Sequence, residues 1–265
     1  MNEKELAFKP LIKKISIITV VVLIIISGFF EFSDFSSNKD FLMLNQTVIR
    51  FLSGILLVIM VKHLGYGRLF QFKNIRKTLI FILPALIISI NNFPIIAFFE
   101  GRAVLTDPMY RVFLFLLECI SVGFFEEIIF RAILLFVLYN MLSKYKFGLY
   151  FTILISAVIF GIFHFFNLIS GASFVDTLLQ VGYSFLLGIM WAVVYLRTKN
   201  IWFVMVLHAT YNFFGQVMFY LGEVQNRFDF YTIIITVFFS LLAGFYTLQL
   251  LIHIDDTSFI KVQNE

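Results

Sequence analysis

Long apolar stretches follow one another along the chain with only short polar breaks between them, and this succession leaves few folds open. They are long enough for helices, which need roughly 20 residues to cross a bilayer's hydrocarbon core. None has the regular polar/apolar alternation of outer-membrane strands. Eight spans are read, at 15–32, 46–62, 78–98, 112–142, 147–168, 176–196, 201–221 and 229–252. The sequence therefore predicts an all-α, polytopic transmembrane helix bundle that forms a single membrane domain over residues 1–265. Composition agrees: the chain is 61% hydrophobic and 14% charged, where soluble domains carry about 25% charged residues.

The net charge of +4 needs no nucleic-acid partner, because the basic residues sort by loop. With a cytoplasmic N-terminus, Lys4, Lys9, Lys13, Lys14, Lys62, Arg68, Lys73, Arg76, Lys77, Lys144, Lys146, Arg197, Lys199 and Lys261 lie inside, against Lys39, Arg102, Arg111 and Arg227 outside. Positive-inside bias then places both termini in the cytoplasm. Arg50, near the outer end of its span, is expected to snorkel. Trp191 and Trp202 flank the loop at Arg197 and Lys199 and read as an interfacial aromatic belt. The first apolar run resembles a signal peptide but lacks a small-residue cleavage site, so it is read as a retained helix. The third is broken by Asn91, Asn92 and Pro94, as a proline kink or as the wall of a wet cavity.

Against this background Glu126, Glu127 and Arg131 stand out in the middle of the apolar run 112–142. A charge at mid-bilayer costs roughly 2.5–3.5 kcal/mol on insertion scales, which makes such a trio a functional-site candidate. Residues four apart share a helix face, so Glu127 and Arg131 can pair, while Glu126 is turned about 100° away and stays available to a water molecule. A buried salt bridge holding helices in register is the structural alternative. The run is too long for one straight crossing, and Ser121 and Gly123 predict a bend just before the glutamates.

Two later spans carry polar groups that fit the same chemistry. Phe160 lies one turn from His164, so its ring can orient the imidazole. His208 and Asn212, also four apart, present an imidazole and an amide as donors toward a developing oxyanion. Polar glue between helices is the plainer role for such residues. Cys119, the only cysteine, reads as a small buried hydrophobe and excludes an intrachain disulfide. Gly171-Ala172-Ser173 falls in a loop, and His63 and His253 at helix ends.

The order Glu126-Glu127-x-x-x-Arg131, Phe160-x-x-x-His164, His208-x-x-x-Asn212 on separate spans resembles the CAAX protease and bacteriocin-processing (CPBP, or Abi) family over roughly residues 112–215. That family includes type II CAAX prenyl endopeptidases and lysostaphin-resistance-type bacterial proteins. The resemblance implies an intramembrane endopeptidase in which Glu126 and His164 activate a water, His208 and Asn212 steady the oxyanion, and Glu127, Arg131 and Phe160 support the site. It implies a peptide or lipid-linked protein substrate and no required cofactor. Zinc is the alternative, held by Glu126, His164 and His208, although the sequence has no H-E-x-x-H. Usage rich in Ile, Phe, Lys and Asn points to a bacterial plasma membrane, with roles in bacteriocin immunity, peptide-signal processing or CAAX-type processing.

A non-catalytic membrane scaffold that binds a partner protein is the competing reading. A proton-coupled transporter lacks the inverted repeat that would support it. One mismatch of depth also needs resolving. Counted from the cytoplasmic ends, Glu126 and His164 lie roughly sixteen and seventeen residues in, about 24 Å at 1.5 Å per residue, and His208 only about eight. Either the seventh span starts deeper than Trp202 implies, or the fourth and fifth run on past the bilayer around Tyr139–Tyr150; the second is expected.

Overall fold

The computed structural model describes residues 22, 38–72, 75–169, 171–226 and 229–254. Helix α1 (Lys39–Val61) passes through a π turn (Lys62–Tyr66) and a 3-10 turn (Gly67–Phe70). Helix α2 (Ile75–Asn91) and the short α3 (Ile95–Phe99) lead to a strand β1 (Ala103–Leu105). Then come α4 (Met109–Glu127), a π-helical segment (Ile128–Leu134) and α5 (Leu135–Leu142). Helix α6 (Gly148–Phe163) ends in a 3-10 turn (His164–Leu168), and α7 (Phe174–Thr198) and α8 (Ile201–Tyr220) follow. A strand β2 (Gly222–Val224) and helix α9 (Phe230–Ile252) complete the order.

Membrane-spanning helices are present as expected, but fewer than eight qualify. Among the described residues four are long and apolar enough to cross a membrane: Lys39–Phe70, Gly148–Leu168, Phe174–Thr198 and Phe230–Ile252. The region from 109 to 142 is divided by its π segment and carries buried charges, and α2 offers only a shorter apolar stretch, Thr78–Asn91. Of the first predicted span, 15–32, all but Val22 lies outside the described residues. A two-stranded antiparallel ribbon, Ala103 opposite Val224, adds strand structure where only loops were expected. Arg102 ties it down, reaching the carbonyls of Gln225 and Asn226 and the carboxylate of Asp229 at 3.1 Å.

Local sequence sets the helix starts. Asn38 caps α1 by accepting from the backbone N–H groups of Asp40 and Phe41, so the helix begins ahead of residue 46. Its first turn clamps the start of α4, with Lys39 2.7 Å from Asp107 and Asp40 2.5 Å from Arg111. Helix α4 then packs along both α1 and α8, while α6 packs along α7. Gly123 makes the close approach to α8 possible, since a Cβ there would lie 2.7 Å from the Met205 carbonyl oxygen. Gly188 does the same for α6 and α7, lying against Ala157 and the Phe160 ring.

Three expectations are corrected here. The α-helix runs regularly through Ser121 and Gly123, and the irregularity falls after the glutamates, in Ile128–Leu134. Arg50 does not snorkel: it is 5% exposed and pairs with Glu118 at 3.4 Å. Trp191 is no interfacial belt residue but is 1% exposed in the core. The break at Asn92 docks onto α8, where its amide donates to the Tyr211 carbonyl at 3.1 Å.

The depth mismatch also resolves. Phe124 stacks on Trp202, near the start of α8, at 6.4 Å. The chain continues beyond Phe124 through the π segment and α5 to Leu142. Meanwhile the start of α8 is sunk inside the protein, with Asn200 and Ile201 at 0% exposure and the Trp202 indole N–H donating to the Phe70 carbonyl at 2.8 Å. A helix that begins within the bundle delivers His208 to the level of Glu127 after two turns.

Candidate active site

The site is built where α4 gives way to the π segment. Widening the helical turn there re-aims side chains without breaking the helix, a feature common at functional sites. Glu127 and Arg131 do pair across this junction, Oε2 to Nε at 3.1 Å, and both side chains are 0% exposed. The approach is an ion-pair contact without hydrogen-bond alignment, and the Arg131 N–H groups have no hydrogen-bond partner among the described residues. Instead the guanidinium lies 4.9 Å from the Phe160 ring centre and 5.8 Å from that of Trp191. Cation–π attraction replaces part of the missing hydrogen bonding.

Glu127 does more than hold Arg131. Its Oε1 accepts from His208 Nδ1 at 2.8 Å, across the α4–α8 interface. Because a carboxylate only accepts, the hydrogen bond assigns a proton to Nδ1. That leaves His208 Nε2 on the other side of the ring, 3.8 Å from Glu126 Oε2. Glu126 itself is 28% exposed in its side chain, as the more open of the two carboxylates. One glutamate is locked in the interior and its neighbour is partly exposed.

The Phe160 ring lies at the junction of the motifs. It is 1% exposed and stands edge-on to His164 at 5.2 Å and to His208 at 5.9 Å. His164 opens the 3-10 turn after α6, and its Nδ1 donates to the Phe160 carbonyl at 3.0 Å. Its Nε2 is thereby left as the ring's acceptor, 3.4 Å from the Ser184 hydroxyl. No hydrogen bond or ion pair joins His164 to Glu126 among the described residues. The two are related through Phe160 and His208. Asn212, one turn beyond His208 on α8, is half-buried, and its amide has no hydrogen-bond partner among the described residues.

The Nδ1 atoms of His208 and His164 are tied to Glu127 and to the Phe160 carbonyl, which leaves the Nε2 atom of each ring to face other groups. Among the described residues no group of three or more His, Cys, Asp or Glu side chains is placed to hold a metal ion, the set Glu126, His164 and His208 included.

Two participants escaped the sequence reading. Trp191 stacks on His208 at 4.4 Å and 25°, and Ser184 reaches His164. A signal was present: Ser184, Gly188, Trp191 and Tyr195 recur at helical spacing on the buried face of α7, opposite exposed Leu178 and Leu186. A separate apolar groove of about 630 Å³ between α1, α4 and α8 is lined by Phe51, Phe124, Trp202 and Val206 among others. None of the titratable site residues contributes to it.

Residues 108–214 match the model of a protein family described as type II CAAX prenyl endopeptidase Rce1-like. The matched stretch runs from the start of α4 into α8 and includes Glu126, Glu127, Arg131, Phe160, His164, His208 and Asn212. The resemblance to the CAAX proteases drawn from three short motifs therefore holds. Neither the curated proteins nor the solved structures contain a match to the chain.

Proposed function

We propose that this chain, an integral membrane protein similar over residues 108–214 to the type II CAAX prenyl endopeptidases, is an intramembrane endopeptidase that hydrolyses a peptide bond with a glutamate-activated water. The observation that carries the reading is the placement of Glu126 Oε2 3.8 Å from His208 Nε2, while the other face of that imidazole is tied to the buried Glu127. A carboxylate with nothing but structure to serve has no reason to remain half-open beside an oriented histidine.

In the proposed mechanism Glu126, assisted by the acceptor Nε2 of His164 beside the Ser184 hydroxyl, takes a proton from water as the oxygen adds to the scissile carbonyl. The tetrahedral oxyanion is met by Asn212 and by His208, whose Nε2 takes a second proton from solvent as substrate binds and gives it back when the product leaves. Glu127 then serves as counter-ion to the imidazolium across the 2.8 Å hydrogen bond. Glu126 returns its proton to the departing amine, and the C–N bond breaks. Arg131 balances the charge of Glu127 throughout. No step passes through a metal.

The substrate is a membrane-associated or small peptide, and the setting is a multi-pass protein of a bacterial plasma membrane. Bacteriocin immunity, peptide-signal processing or CAAX-type C-terminal processing would each use such an activity. The test compares membrane peptides by mass spectrometry in cells carrying the wild type or Glu126→Gln. General-base removal should lower cleavage by about 10²–10⁴-fold with the protein still inserted. Cleavage products unchanged in the variant would overturn the protease reading in favour of a scaffold.

A further inference from the structure

His208 is held at one nitrogen and needed at the other. The Nδ1 tether to Glu127 is a genuine hydrogen bond at 2.8 Å, but the 3.8 Å from Nε2 to Glu126 is too long for one. With one hydrogen bond beside its covalent link, the ring can still swing about Cβ–Cγ and carry its far nitrogen out of line. Something other than Glu126 therefore sets where Nε2 points.

The ring's faces supply the answer. The indole of Trp191 lies almost parallel to the imidazole, 4.4 Å away at 25°, and Phe160 stands edge-on at 5.9 Å and 88°. A pivot of the imidazole would drive it into the indole. Trp191 in turn cannot yield: it is 1% exposed, Phe160 packs against it at 5.9 Å, and Tyr211 closes a further side at 6.2 Å. Its own Nε1 has no hydrogen-bond partner among the described residues. Its contribution therefore lies in the ring face and not in the N–H.

We propose that Trp191 is a positioning residue of the peptidase centre, fixing the His208 imidazole so that Nε2 stays directed toward Glu126. This rests on the hydrolytic reading given above, but its central observable does not. Trp191 also borders Arg131, whose guanidinium carbon is 5.8 Å from its ring centre, so one side chain packs against both polar partners of Glu127.

The test uses the full chain in lipid nanodiscs with ¹⁵N-labelled histidine, His208 being assigned by comparison with His208→Asn. Wild-type His208 should show a single tautomer protonated at Nδ1. Trp191→Leu should show averaging of the two ring nitrogens, and Trp191→Phe, which keeps a flat face, should restore the single form. In peptide hydrolysis, Trp191→Leu should lose about 10²-fold in kcat, as expected of an ångström-scale misplacement, with KM within twofold. Trp191→Phe should recover at least a third of the wild-type kcat. Should the leucine variant fail to fold, Trp191→Met, unbranched, more adaptable and without a flat ring, takes its place under the same readouts. A single Nδ1–H tautomer in the folded leucine or methionine variant would overturn the proposal, as would an unchanged kcat. If the wild type cleaves no peptide at all, the hydrolytic reading fails, and the tautomer measurement still decides the role of Trp191.

Discussion

Replacing Arg131 with methionine would remove the guanidinium 3.1 Å from Glu127 while roughly keeping the volume of a side chain that is 0% exposed. Glu127, itself 0% exposed, would keep only the His208 Nδ1–H as a partner. Breaking one half of a buried pair costs about 3–5 kcal/mol, because the remaining charge cannot reach water. At roughly 2–4 °C per kcal/mol for a chain of this size, the midpoint of thermal unfolding should fall by about 6–20 °C. The double variant Glu127→Gln with Arg131→Met removes both charges and should recover most of that loss. It should nonetheless remain inactive, since the imidazole would lose its counter-ion. The assay is thermal unfolding of nanodisc-embedded protein alongside peptide hydrolysis. Stability of Arg131→Met within about 1 kcal/mol of wild type would refute the reasoning, because Glu127 would then be solvated or neutral and could not organise His208 as argued.

Further outcomes follow from other parts of the molecule. Gly123→Ala would push a methyl against the Met205 carbonyl, 2.7 Å from the added Cβ, and should destabilise the α4–α8 contact by about 1–3 kcal/mol in the same unfolding assay. His164→Ala should reduce hydrolysis while leaving the His208 tautomer intact, because His164 bonds to Phe160 and Ser184 and not to Glu127. At the polar end of α9, the Thr232 backbone N–H, the Thr232 hydroxyl and Arg102 hold the Asp229 carboxyl at about 2, below its ordinary 3.8. The ionised form is thus favoured in the fold. The stabilisation it provides is complete above the ordinary value and is lost as pH falls from there through about 2. The protection factor of the Thr232 amide against exchange should accordingly be steady from neutral pH to about 4 and fall below it, and Asp229→Ala should abolish that fall.

How much of this was legible in the chain depended on distance along it. The Glu127–Arg131 pair and the divergence of Glu126 follow from helix geometry within a single turn, and the structure holds both. So does the relation of Phe160 to His164, where ring and imidazole meet at 5.2 Å. The apolar runs named the helices, while the caps at Asn38, Ser173 and Asn200 that set three of their starts were not singled out in the sequence. A tryptophan beside basic residues, however, looks like a membrane-interface anchor by composition. Only the packing of α7 against α6 and α8 shows that Trp191 faces His208.

The sequence by itself determined the chemistry on offer: a helical membrane protein, an unequal pair of glutamates, and two histidines on separate helices, because each of these is a local property of one apolar segment. Tertiary structure alone decided that Glu127 grips His208, 81 positions away, that Arg50 is buried against Glu118 instead of reaching for water, and that α8 starts inside the bundle. Those choices are made by helices meeting across an interface, where close-packed small residues such as Gly123 and Gly188 fix the register. No periodicity within a single segment encodes which neighbour it will touch.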